Sequence, residues 1–264
     1  MKELIDFDAQ FVEHMDAWAD KLLAKGKKAE EIEELIPEEY EKWATEASKY
    51  FDDVEQDELI KMLGAYMDEE ITPPDFLIEK IMLCEQNEEK LVQMLKQERS
   101  TEDKILLMNI LSSSEKPIDE YIRIILSGED EELVEAATEA LKYIPSQKLG
   151  TVIEALNETT DIDLKERFVY ILVYAQPKTE GLANVLIDLM QTSTNTAVIA
   201  GMMASYGDNK CLTILKEFEQ AEGISYIDYV EICDAIEALG GETTREREFD
   251  GDDYYEMMHS GGLE

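Results

Sequence analysis

The sequence predicts an all-α fold built of helix pairs that repeat along the chain. Apolar residues recur at a spacing of three to four from one end to the other. Runs of alternating β-branched residues between turn signals are missing, so we expect almost no strand. Helix-opening positions also recur about every 30 residues, which is typical of a repeat architecture.

Residues 1–55 are predicted to form an N-terminal helical bundle or cap. Gly26 favours the end of a first helix, and Pro37 suits the first turn of a third. Both tryptophans of the chain, Trp18 and Trp43, lie here among several other aromatic residues. These rings either form the core of a small bundle or line a groove for a peptide. The expected helices cover residues 8–25, 29–35 and 37–51.

Residues 56–240 are predicted to form about six helix–turn–helix units. Most openers are Ser, Thr, Asp or Asn, whose side-chain oxygens cap free amide groups. The first helices of successive units are expected to open at Asn87, Pro117, Ser146, Thr179 and Asp208. The second helices are expected to open near Thr101, Asp130, Asp161, Asn195 and Ser225. The two interleaved series share one period, so each unit contributes two helices.

Several segments of this repeat region resemble HEAT repeats, specifically the short bacterial type related to phycobilisome lyases. They are LVEAATEALKYI followed by PSQKLGTVIEAL, and VIAGMMASYGDNKCLTILKEF. The resemblance is best over residues 117–241, weaker over 56–116, and does not cover 1–55. It implies an α-solenoid of HEAT-like repeats with an N-terminal helical cap, in which the second helices line the concave face. The chain departs from the family by placing Glu135 and Glu231 where an arginine is usual, which argues against a borrowed phosphate-binding role.

The last segment, 241–264, is expected to be an acidic, flexible tail, either disordered or loosely docked. It has no apolar periodicity and carries more acids than arginines. An alternative is a short linear motif formed by aromatic and methionine residues among the acids. Its members would be Phe249, Tyr254, Tyr255, Met257 and Met258.

The charge limits the classes of ligand. Against 62 acidic residues the 264-residue chain has only 24 basic ones, which gives a formal net charge of −38. Hydrophobic residues make up 44%, enough for a core, so the charge does not by itself indicate disorder. Binding to phosphates needs a basic surface, so we expect neither nucleic acid nor an anionic membrane as a direct ligand.

Motifs that carry chemistry are missing from the sequence. We find no nucleophile elbow, phosphate loop or metal-ligand spacing, and the two histidines, His14 and His259, lie at opposite ends. We therefore expect no enzyme, no cofactor and no metal. No secretory leader or membrane span is visible, and three cysteines within apolar helical patterns are typical of reduced thiols in a cytoplasmic protein.

The function that these observations favour is a protein–protein interaction scaffold or adaptor. Its partner is expected to be a basic protein, bound on an acidic concave surface. Two alternatives remain: a DNA-mimic inhibitor of a nucleic-acid-binding protein, and an enzyme with a site made only of Asp and Glu. The candidate partner-binding residues either stay exposed or fill the gaps between repeats. They are Tyr143, Arg167, Tyr170, Tyr174, Tyr206, Tyr226 and Tyr229.

Overall fold

The fold is all-α, as the sequence predicts. A computed structural model describes residues 2–112, 114–143, 148–244 and 247–260, and within these ranges it contains helices but no strand. Helices account for 71% of the structure. Its packing divides the chain into two compact units, Met1–Pro117 and Ile118–Glu264. The boundaries that the sequence suggests, after residues 55 and 240, fall inside these units.

The first unit begins with the three helices expected from the sequence and continues with two helix pairs. Its helices are α1 (Phe7–Ala24), α2 (Ala29–Glu33), α3 (Ile36–Ser48), α4 (Gln56–Asp68), α5 (Asp75–Met82), α6 (Glu88–Leu95) and α7 (Thr101–Ile110). Helix α4 packs against α5, and α6 packs against α7. The pairs also contact each other in register, because α4 meets α6 and α5 meets α7.

Aromatic rings join the N-terminal helices to the first helix pair. Phe7 and Phe51 are almost fully buried, and the ring of Phe7 meets Phe76 of α5 edge-on, with 5.0 Å between centroids. Trp43 also packs against Phe7, at 6.3 Å. Edge-to-face pairs of this kind add to the free energy gained by burial. The rings therefore pack against one another, which favours the core of a small bundle over a groove for a peptide.

The described residues of the second unit form four helix pairs and a last helix. The pairs are α8 (Ile118–Ser127) with α9 (Glu131–Leu141), α10 (Leu149–Glu158) with α11 (Ile162–Tyr174), α12 (Leu182–Thr192) with α13 (Thr196–Tyr206), and α14 (Leu212–Glu219) with α15 (Tyr226–Ala238). The last helix is α16 (Asp253–Ser260). The second members of the pairs contact one another in sequence order, α9 to α11, α11 to α13 and α13 to α15. We call α9, α11, α13 and α15 the second-helix row.

Three of the predicted openers cap the helices that they precede. The side chain of Asp130 accepts from two amides of α9, that of Asp161 from the amide of Leu164, and that of Ser225 from the amide of Asp228. Asn195 precedes α13 at the predicted place, but its side chain makes no cap hydrogen bond. Of the other predicted openers, Ser146 lies outside the described residues.

Part of the C-terminal segment packs against α14 and α15, which favours the docked alternative over the disordered one. Phe249 is 7% exposed and its ring lies 5.0 Å from that of Tyr229. The guanidinium of Arg247 donates to the backbone carbonyls of Glu219 and Ala221, at 3.0 and 2.8 Å. Asp252 accepts from the amide of Tyr226 at 2.9 Å. The residues that make these contacts do not recur at a regular spacing, so apolar periodicity could not predict them.

Within the described ranges, no helix is both long and apolar enough to cross a lipid bilayer.

Removing the cap of α11 is expected to destabilise the second unit. Asp161→Ala leaves the amide of Leu164 without its 3.1 Å acceptor, and the loss of an N-cap costs about 1 kcal/mol. Urea unfolding followed by circular dichroism measures this free energy. Asp161→Asn is the matched control, because an asparagine caps as well as an aspartate. Equal stability of the alanine and asparagine variants would contradict the assignment of the cap.

Phe249 is expected to hold the C-terminal segment on α15. Phe249→Ala removes the ring from its contacts with Tyr229 and Cys233, so a protease should cut residues 247–260 faster than in the wild type. Limited proteolysis read by mass spectrometry tests this. Met257→Ala is the control, since Met257 is 60% exposed. Equal cleavage rates in the two variants would show that the ring does not anchor the segment.

Candidate functional site

An acidic groove runs across the second-helix row. It has a volume of 560 Å³ and is open to solvent. The groove is formed by α9, α11, α13 and the residue before α13. Its lining residues are Glu135, Thr138, Glu139, Asp163, Glu166, Arg167, Tyr170, Asn195, Val198 and Met202. We use the name acidic groove for this set.

Helix α11 forms the floor of the acidic groove. It contributes Asp163, Glu166, Arg167 and Tyr170. These residues follow each other at intervals of three, one and three, so they share one face of the helix. The four side chains therefore point towards the same opening. A search for motifs of adjacent residues would not find this arrangement.

Glu166 is the buried carboxylate of the groove. Its side chain is 8% exposed, and its Oε2 accepts a 2.7 Å hydrogen bond from the Nδ2 of Asn195. Its Oε1 is buried and has no hydrogen-bond partner among the described residues. A buried acceptor without a donor costs free energy, and more so when it is charged. Glu166 therefore has one carboxylate oxygen for which the described residues supply no donor.

Asn195 is free to make this bond because another residue replaces it as a cap. The backbone amide of Ala197, in the first turn of α13, donates to the Oδ1 of Asp228 at 3.0 Å. Asp228 belongs to α15, so the cap of α13 comes from the next helix of the row. Asn195 instead joins α11 to α13 through Glu166.

The two cationic side chains nearest the groove are already engaged. The guanidinium of Arg167 forms an ion pair with Glu131 at the start of α9. The Nζ of Lys142 donates to the hydroxyl of Tyr170 at 2.9 Å and lies 3.0 Å from Glu139. These two hydrogen bonds, to Tyr170 and then to Glu139, raise the pKa of Lys142 above its usual range. Both cations thus join α9 to α11.

The electrostatic balance of the acidic groove is negative. Four of its lining residues are carboxylates and one is an arginine, which gives the groove a formal charge of −3. Among the described residues, Glu135 and Asp163 have no ion-pair partner, and both are exposed. The groove therefore presents uncompensated negative charge to solvent beside the buried oxygen of Glu166.

The structure brings together three of the predicted partner-binding residues. Arg167 and Tyr170 line the acidic groove, and Tyr174 packs edge-on against Tyr170 with 5.3 Å between ring centroids. The Nζ of Lys142 lies over both rings, at 4.8 and 5.0 Å. Tyr174 is 45% exposed, and Tyr143, which follows α9, is 83% exposed.

The remaining three predicted residues lie elsewhere, and two are not exposed. Tyr206 is 5% exposed and its hydroxyl donates to the carbonyl of Thr179 at 2.7 Å. Tyr229 is 4% exposed, and Tyr226 is half-buried against Phe249. The rings of Tyr206 and Tyr229 therefore fill space between packed elements. Filling the gaps between repeats is one of the two roles that the sequence left open for these residues.

Sequence reasoning missed Glu166 and the role of Asn195. Acidic residues are so frequent in the chain that no single carboxylate attracts notice. Asn195 looked like a cap, which is where its residue type is usual. Glu135, which the sequence analysis singled out for another reason, does line the groove.

The described residues contain no group of three or more His, Cys, Asp or Glu side chains arranged to hold a metal ion.

Lys142 is expected to stabilise the contact between α9 and α11. Lys142→Met keeps the aliphatic stem but removes the ammonium from Tyr170 and Glu139, so the free energy of unfolding should fall by about 1 kcal/mol. Urea unfolding gives this value. Lys216→Met, at an exposed position of α14, is the control and should change stability little. Identical losses in both variants would refute a specific role for Lys142.

Comparisons with known proteins give no relative from which a function could be inferred. No family model matches the chain, and neither the curated proteins nor the solved structures contain a match. The function is therefore inferred from the residues of the acidic groove.

Proposed function

We propose that the protein is an interaction scaffold that binds a basic segment of a partner protein in the acidic groove. The observation that carries this proposal is the groove's formal charge of −3, in a cleft of 560 Å³. Carboxylates gathered in a cleft concentrate the electric field, which attracts a cationic ligand and raises its association rate.

The helix packing supports a HEAT-like α-solenoid as the frame of this scaffold. In the second unit, four helix pairs follow one another, and their second members form the continuous row α9, α11, α13, α15. In a solenoid each repeat contacts its neighbours, and one row of helices provides an extended binding surface. The acidic groove lies on that row, which is where the family resemblance places the concave face.

The position of the charge supports a scaffold over a DNA mimic. A mimic must display carboxylates at the surface, where they imitate phosphates. In the acidic groove the central carboxylate, Glu166, is 8% exposed and bonded to Asn195. A buried acceptor favours a side chain that enters the cleft, whereas the exposed Glu135 and Asp163 would suit a scaffold and a mimic equally.

The contacts of the groove also favour a non-catalytic role. Arg167 is held by Glu131, and the hydroxyl of Tyr170 is held between Lys142 and Glu139. These groups join neighbouring helices.

The three free cysteines, two of them buried, support the expectation of a cytoplasmic protein.

A peptide-binding measurement tests the proposal. A fluorescein-labelled peptide of nine lysines should bind the wild type with a saturable 1:1 anisotropy curve at 150 mM salt, because its charge complements the groove. The double variant Glu135→Gln/Asp163→Asn should bind about tenfold more weakly, since it removes the two exposed carboxylates of the groove that have no ion-pair partner among the described residues.

The control changes the same charge elsewhere. Glu154→Gln/Glu217→Gln neutralises two exposed carboxylates on α10 and α14, outside the second-helix row. It should bind the peptide nearly as tightly as the wild type. If both double variants lose affinity equally, the peptide responds to net charge alone and the acidic groove is not the binding site.

A further inference from the structure

The unsatisfied oxygen of Glu166 points to a specific ligand group. The Oε2 of this carboxylate is occupied by Asn195, while the Oε1 is buried without a donor. Leaving a buried charged acceptor unpaired is costly, and natural folds satisfy nearly all such groups. A ligand that supplies a donor here would recover that cost on binding.

The residues around this oxygen select a cationic donor. The groove also contains Glu135 and Asp163, which have no ion-pair partner among the described residues. Its own cation, Arg167, is held by Glu131. A neutral donor would satisfy the Oε1 atom but leave the net negative charge of the groove uncompensated. A cation satisfies the Oε1 atom and also compensates this charge.

The groove suits an arginine better than a lysine. A guanidinium is less strongly hydrated than an ammonium, so it loses less free energy when it leaves water for a buried carboxylate. It also carries five N–H donors in a plane, enough for several acceptors at once. Val198 and Met202 give the groove an apolar side along which an aliphatic stem can lie.

We propose that the acidic groove is an anchor pocket for one arginine side chain of the partner, whose guanidinium donates to the Oε1 of Glu166 after a local movement of that carboxylate brings the atom to the groove surface. This inference rests on the proposed scaffold function and deepens it, because it names the group that fixes the partner's register. The remaining basic residues of the partner contribute steering and weaker contacts along the second-helix row.

The test compares two peptides that differ at one position. One has nine lysines, and the other has an arginine at the fifth position among eight lysines. Their charges are equal, so any difference reports on the guanidinium. The wild type should bind the arginine peptide about tenfold more tightly, as expected for a charge-assisted hydrogen bond to a buried acceptor.

Glu166→Gln should abolish this preference. The amide oxygen of the glutamine still accepts from Asn195, while its NH₂ group replaces the Oε1 acceptor with a donor that repels a guanidinium. The matched control is Glu217→Gln, which removes one exposed carboxylate of α14 and should keep the preference. Thermal unfolding checks the fold of both variants, and Glu166→Gln should unfold at no lower temperature than the wild type because it removes a buried charge.

A second variant leaves Glu166 in place. Val198 is 53% exposed, so Val198→Arg places an internal guanidinium at the groove without disturbing the core. It should fill the pocket and remove the preference for the arginine peptide, while binding of the lysine peptide falls by less.

The outcomes separate this inference from the proposed function. Equal affinity of the wild type for the two peptides, or a preference that survives Glu166→Gln, would overturn the arginine pocket while the scaffold stands on lysine-peptide binding. If neither peptide binds the wild type saturably, the proposed function fails, and the pocket fails with it.

Discussion

The contacts between consecutive helices of the second-helix row are the constraint on which the functional surface depends. Small side chains such as Ala137, Ala200 and Ala235 are buried in α9, α13 and α15, and they let neighbouring helices approach. Polar links then fix one helix to the next. Lys142 and Tyr170 join α9 to α11, Glu166 and Asn195 join α11 to α13, and the cap from Asp228 joins α13 to α15.

These links explain how an acidic groove forms in a protein that has a large excess of negative charge. The cations near the groove join helices, Arg167 through its ion pair with Glu131 and Lys142 through its hydrogen bond to Tyr170. The carboxylates that remain gather around α11 without compensation. One of them, Glu166, is buried beside Asn195 and has an Oε1 without a donor among the described residues. A cleft that retains an unsatisfied charge gives up some stability, and ligand binding is the usual compensation for such a cost.

Much of the fold was predictable from the sequence, because capping and periodicity are local. Asp130, Asp161 and Ser225 open helices where their residue types indicate, and the all-α class follows from the apolar spacing. Burial was less predictable. Tyr206 and Tyr229 looked like candidates for a surface, yet each lies in a contact between elements that are distant in sequence.

The groove itself could be predicted only in part. The resemblance to HEAT repeats directed attention to the second helices, and Arg167 and Tyr170 do line the cleft. Glu166 could not be singled out, because its importance comes from burial beside Asn195, a residue 29 positions away. The packing of Phe249 could not be predicted for the same reason: its partners on α15 are near in space and not in sequence. Long-range contacts of this kind leave no periodic trace.

The central claim is that a basic ligand binds on the second-helix row at the acidic groove. Hydrogen–deuterium exchange with and without the arginine-containing peptide measures this location directly. The account predicts added protection in residues 131–141, 162–174 and 195–206, with little change in the first helices α8, α10 and α12. Protection spread evenly over both sets of helices, or confined to the first helices, would contradict it.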